Sequence, residues 1–133
     1  MSDIITMIEM NLNQVTVSVA DVDRSIDFYE KLGLRLIVKA LPHYARFECS
    51  EGDSTFSLHQ VDKPAGDTGT WIYFEVHDLD NFVNKLVDKG IVFVELLNDK
   101  SWLWREARLK DPDNNVLILY FPGENRKNPP WRI

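Results

Sequence analysis

His59, Glu75 and Glu106 are residue types that can hold a divalent cation as a two-carboxylate, one-histidine set, or move protons as acid and base. Each lies in a short segment of alternating character: TFSLH, WIYFE or WREAR. Alternate residues of a strand share a face, so Thr55, Ser57 and His59 fall together, as do Trp71, Tyr73 and Glu75. Glu106 and Arg108 come from a third strand. Arg108 is expected to pair with these carboxylates, which favours a hydrogen-bonded polar pocket over a metal site. Where apolar surroundings raise a carboxyl pKa, Glu75 or Glu106 is the candidate general base.

The same faces are rich in rings. Trp71 and Tyr73 face the expected cavity, and Trp102 and Trp104 lie in SWLWREARL with Arg105 and Arg108 interleaved. Rings joined by a few orienting polar groups, here Glu75 and Arg108, make up a small-molecule site. No nucleophile is set up for catalysis. The lone Cys49 alternates with Ala45 and Phe47 toward the buried face, where a thiol is inert. Ser18 and Ser57 have neither an adjacent histidine nor nucleophile-elbow glycines. His43 follows Pro42 in a turn and His77 stands at a helix start, which suits surface or capping roles.

A repeat positions these residues. Val15, Val17 and Val19 alternate with Thr16 and Ser18 as a strand with one buried face. Asp21 or Asp23 can cap a helix with the stripe Val22, Ile26, Tyr29 and Leu32, and Gly33 stops it. The pattern returns 57 residues on, where Ile72, Phe74 and Val76, then Asp78 and Asp80, then Leu79, Val83, Leu86 and Gly90 occupy the matching places. Strands are expected at Leu34 to Ala40, Tyr44 to Cys49 and Thr55 to Val61 in the first copy. In the second they are expected at Ile91 to Leu97, Trp102 to Leu109 and Val116 to Phe121. Each copy is then β-α-β-β-β. The expected organisation is a single domain: module one at about 12–61, a linker at 62–70, module two at about 71–121 and a tail at 122–133. The apolar arm Met1 to Leu12 is expected to form an edge segment or a dimer contact, and Trp131 to pack on the body.

Composition sets the limits. The chain has 133 residues, 44% of them hydrophobic, enough to bury a core. Its formal charge is −6 and it has no dense basic cluster, which argues against nucleic acid and anionic membranes as partners. The single cysteine, the lack of a signal-peptide pattern and apolar runs far short of the roughly 20 residues of a membrane span point to the cytoplasm.

The run VTVSVADVDRSIDFYEKLG, the paired βαβββ modules and the turn KDPDNN closely resemble the vicinal oxygen chelate superfamily. That superfamily includes glyoxalase I, extradiol dioxygenases, and fosfomycin- and bleomycin-resistance proteins. The resemblance spans Leu12 to Phe121 and implies an α+β fold: a curved eight-stranded mixed sheet with helices on one face and a concave pocket on the other. It also implies a homodimer and, in catalytic members, a divalent metal in the concavity. By the motif LNQVTVSV the metal-ligand positions fall on Gln14, on its repeat counterpart Trp71, and on Ser57 and Ile118 in the last strands. Gln14 could donate to a metal, but Trp71 and Ile118 cannot.

The expectation is therefore a binding protein without metal or other cofactor, closest in logic to the bleomycin-resistance type. An aromatic or amphipathic ligand would lie against Trp71, Tyr73 and Trp102 or Trp104, oriented by Glu75 and Arg108, with Gln14, Ser57 and His59 lining the site. The alternative is a glyoxalase-like lyase or dioxygenase-like enzyme using a divergent metal site or a carboxylate general base. Pairing of the modules within one chain and pairing across a dimer are both open.

Overall fold

The computed structural model describes residues 9–133. Most of the apolar N-terminal arm lies outside that range; within it, Met10 and Leu12 are exposed. Module one runs β1 (Gln14–Val19), α1 (Val22–Lys31), β2 (Arg35–Ala40), β3 (Tyr44–Glu48) and β4 (Thr55–Gln60). Module two repeats the order as β5 (Trp71–Glu75), α2 (Leu79–Asp88), β6 (Phe93–Asp99), β7 (Arg105–Lys110) and β8 (Val116–Phe121), followed by a 3₁₀ turn at Gly123–Arg126.

Local chemistry accounts for the helix ends. The Asp21 carboxylate accepts a hydrogen bond from the Arg24 amide at 3.1 Å and so caps α1. Gly33, at φ 101°, ends it in a conformation that side chains disfavour. The stripe Val22, Ile26 and Tyr29 is buried, as is its repeat counterpart Leu79, Val83 and Leu86 in α2.

The eight strands form two four-stranded mixed sheets, ordered β1-β4-β3-β2 and β5-β8-β7-β6. In each, the first and last strands of the module run parallel and the other pairs are antiparallel. One core joins both sheets to both helices: Val17, Val19, Tyr29, Phe47, Phe56 and Leu58 cluster with Leu79, Val83, Leu86, Leu109, Leu117 and Leu119. The Phe56 and Phe74 rings meet across the modules with centroids 5.7 Å apart. With both helices on the core side, the opposite faces of the two sheets are free to carry function.

Three expectations change. The strand expected from Trp102 starts only at Arg105, because Leu103 takes a left-handed conformation at φ 68° and breaks the alternation. Trp102 and Trp104 therefore belong to the β6–β7 loop, which is closed by a Lys100 amide to Trp104 carbonyl bond of 2.8 Å. β6 starts two residues later than expected and carries two register shifts against β7. Trp131 is 56% exposed rather than packed on the body.

Candidate functional site

Register brings the aromatic residues of module two onto one face. Tyr73 pairs with Ile118 and Glu75 with Tyr120 across β5 and β8; Arg108 and Glu106 meet the same two residues from β7. The alternation of a strand then places Trp71, Tyr73, Glu75, Ile118, Tyr120, Glu106 and Arg108 together, away from the core. Trp104 joins them from the loop. The rings of Tyr73, Trp104 and Tyr120 form a triangle with centroids 5.7, 5.0 and 5.0 Å apart. The Trp104 indole donates to the Asn125 carbonyl at 3.1 Å, so the 3₁₀ turn braces the cluster.

Arg108 does not pair with the carboxylates as the sequence suggests. Its guanidinium lies over the Trp71 ring, 4.5 Å from the centroid, a cation–π contact. Its Nε is buried and has no hydrogen-bond partner among the described residues. Glu106, 2% exposed, instead accepts from the Trp102 indole at 3.0 Å. Burial, then the negative charge of Glu106, pushes the Tyr73 phenol above its ordinary pKa, with Arg108 opposing. Burial also pushes Tyr120 up. Both phenols stay protonated at neutral pH and can donate hydrogen bonds.

The equivalent face of module one is polar and tightly networked. Ser57, fully buried, accepts from the Gln14 amide at 2.7 Å and shares a hydrogen with the Tyr44 hydroxyl at 2.7 Å. Thr55 donates to the Gln14 carbonyl oxygen, and Arg46 donates from Nε to Tyr44 at 2.9 Å. Burial acts to raise the Tyr44 pKa, but the bonds with Ser57 and Arg46 and the Arg46 charge outweigh it and hold the phenol below its ordinary range. Tyr44 and Arg46 are absent from the sequence-based candidates. The signal was available: once Ala45 and Phe47 are assigned to the core, alternation puts Tyr44, Arg46 and Glu48 on the functional face.

His59 is exposed on β4, on the module-one face beside Tyr44, whereas Glu75 and Glu106 sit on the other sheet. No three His, Cys, Asp or Glu side chains among the described residues are grouped to hold a metal. The positions implied by the resemblance fare no better. The Gln14 amide is engaged by Ser57 and Thr55, Trp71 carries Arg108 on its ring, and Ile118 is a fully buried hydrocarbon. A divalent ion needs nitrogen, oxygen or sulfur donors, and a guanidinium beside the site adds like charge, so these residues do not fit one.

An open cleft of about 510 Å³ lies at the end of module two, bounded by Lys100, Leu103, Trp104, Arg105, Phe121 and Asn125 among others. It shares Trp104 with the aromatic face but excludes Trp71, Tyr73, Glu75 and Arg108. In the single chain that face stands open, with Trp71 44% and Tyr73 37% exposed.

Residues 11–119 match the family model of the Glyoxalase/Bleomycin resistance protein/Dioxygenase superfamily. The chain belongs to this superfamily. It is 28% identical to the trivalent organoarsenical cleaving enzyme of Bacillus sp. (strain MD1), over 91% of this chain and 81% of that protein. A superfamily structure from Nocardioides covers 97% of the chain at a TM-score of 0.74 and 20% identity, with 93% of its own length matched. The lactoylglutathione lyase of Agrobacterium tumefaciens covers 84%, at a TM-score of 0.69 and 16% identity, with 92% of its own length matched. These structural likenesses establish the superfamily fold, which hosts many activities. No helix among the described residues is long and apolar enough to cross a membrane.

Proposed function

We propose that this superfamily member is a small-molecule-binding protein that works without a metal, holding an aromatic or amphipathic ligand on the exposed face of module two. Trp71, Tyr73 and Trp104 form the platform, Arg108 and Glu75 orient polar groups, and Trp102 closes one edge through Glu106. What carries this is the guanidinium of Arg108 laid over Trp71, beside the ring cluster and next to Ile118, where metal-dependent relatives would need donors. A flat ligand gains dispersion and cation–π contacts there.

Trp71 and Tyr73 stay exposed among the described residues, so a second copy is the natural cover. In such a homodimer the polar face of module one, with Gln14, Ser57 and His59, would form the other wall. The protein would act in the cytoplasm. Titration of aromatic ligands against tryptophan fluorescence tests the binding: saturable quenching that Trp71→Ala weakens is expected, and quenching unchanged by that substitution would remove the platform from the site.

A second, enzymatic reading rests on Glu106, a buried carboxylate facing the same platform. As a general base it could take a proton from a ligand stacked on Tyr73. Glu106→Gln should then abolish turnover while ligand binding survives; turnover retained in that variant would exclude Glu106 as the base.

A further inference from the structure

We propose that the module-one face is a distinct seat for a planar oxyanion, a carboxylate, received by Arg46. Arg46 is half-buried, and its guanidinium stands 5.4 Å from the centroid of the Tyr44 ring with no carboxylate oxygen within 4.0 Å among the described residues. Among the described residues its side chain hydrogen-bonds through Nε–H alone, to Tyr44, and the four Nη–H donors of the fork have no partner there. Half-burying a charge without a counter-ion is unfavourable, and a carboxylate bound bidentately reverses that.

The seat is built rather than incidental. Arg46 is held by Tyr44, Tyr44 by Ser57, and Ser57 by Gln14, whose carbonyl oxygen is in turn fixed by Thr55. Fully buried Ser57 anchors this relay across three neighbouring strands, so the fork needs little ordering when a ligand arrives. The nearest acid on the same strand face, Glu48, has its own partner in Arg35 at 3.6 Å, and His59 adds no negative charge from β4. In a chain of net charge −6, an uncompensated guanidinium on a polar face selects for anions.

The seat lies on the wall that the proposed homodimer would set opposite the aromatic platform, but it is built from module one alone and does not depend on that pairing. Its test is a residue-resolved NMR titration of the full chain with sodium benzoate, and in parallel with benzamide, its uncharged counterpart. Benzoate should shift the Arg46 Nε–H signal and the amides of Tyr44, Arg46 and Ser57, and benzamide should leave them in place. In Arg46→Gln the benzoate affinity should fall by about tenfold or more, with Arg46→Lys in between, because a lost charge-assisted bond is worth at least that factor. Shifts confined to the neighbourhood of Trp71 and Arg108 would overturn the proposal while leaving the platform intact. Equal responses to benzamide, or wild-type benzoate affinity in Arg46→Gln, would overturn it as well. The wild-type shift map decides the location even if a variant folds poorly.

Discussion

The hydroxyl of Tyr29, fully buried in α1, donates a 2.6 Å hydrogen bond to the carboxylate of Asp111, 82 residues away in the turn between β7 and β8. Asp111 is itself 3% exposed, and its other oxygen accepts from the Asp113 and Asn115 amides at 2.8 and 2.9 Å. Asn115 reaches back to the Ser18 carbonyl at 3.0 Å and Arg24 pairs with Asp113 at 3.1 Å. The turn that closes module two is thus a polar clasp on module one. Tyr29→Phe removes a charge-assisted bond to a buried carboxylate and should lower stability by about 1.5–3 kcal/mol in chemical denaturation.

That same pair sets an alkaline limit. Burial, then the charge of Asp111, raises the Tyr29 pKa far above its ordinary value. The folded state therefore keeps a proton that the unfolded chain releases near pH 10. A folded-state pKa above the unfolded one means that stability is fully present below about pH 10 and is lost as pH rises beyond it. Denaturation curves across that range should show a decline that Tyr29→Phe makes shallower.

Trp71→Ala should weaken binding of an aromatic ligand by about 1–3 kcal/mol, because it removes both the platform ring and the surface on which Arg108 lies. A ring already 44% exposed carries little of the core, so the thermal midpoint should scarcely move. Fluorescence titration and thermal melts on the same variant check the two halves of this expectation.

Leu103 holds the β6–β7 loop in a left-handed conformation, φ 68°, that a β-branched side chain tolerates poorly. Leu103→Ile should cost about 1–2 kcal/mol and displace Trp104 from Tyr73, whereas Leu103→Asn should be tolerated. Denaturation midpoints and the indole NMR signal of Trp104 report the difference.

Tyr44 should titrate below the ordinary phenol range, since Ser57 and Arg46 stabilise its anion against the effect of burial. As pH rises through that pKa the phenolate neutralises Arg46, with Glu48 on the same strand and His59 on β4 the other titratable neighbours. Benzoate binding should fall over the same interval, and Arg46→Gln should move the Tyr44 titration upward in an NMR pH series.

Much of this fold is legible locally, because the repeat writes strand, cap, stripe and stop twice: Asp21 caps, Gly33 stops, and Val22, Ile26 and Tyr29 are buried. The site is less so. The stacking of Arg108 on Trp71 depends on how β5, β8 and β7 line up, which no local pattern encodes. Trp102 and Trp104 read as strand because Leu103 lacks the glycine or asparagine that ordinarily announces a left-handed turn. Arg46 was within reach of alternation, yet its role emerges only from the bond it makes to Tyr44.

Metal dependence of ligand affinity bears most directly on the central claim. The affinity of an aromatic ligand should be measured by tryptophan fluorescence before and after exhaustive dialysis against EDTA, and again after adding zinc, nickel, manganese or iron. Unchanged affinity throughout, with no metal retained by mass spectrometry, is the predicted result. Affinity lost on chelation and restored by one stoichiometrically bound metal would contradict the metal-free platform.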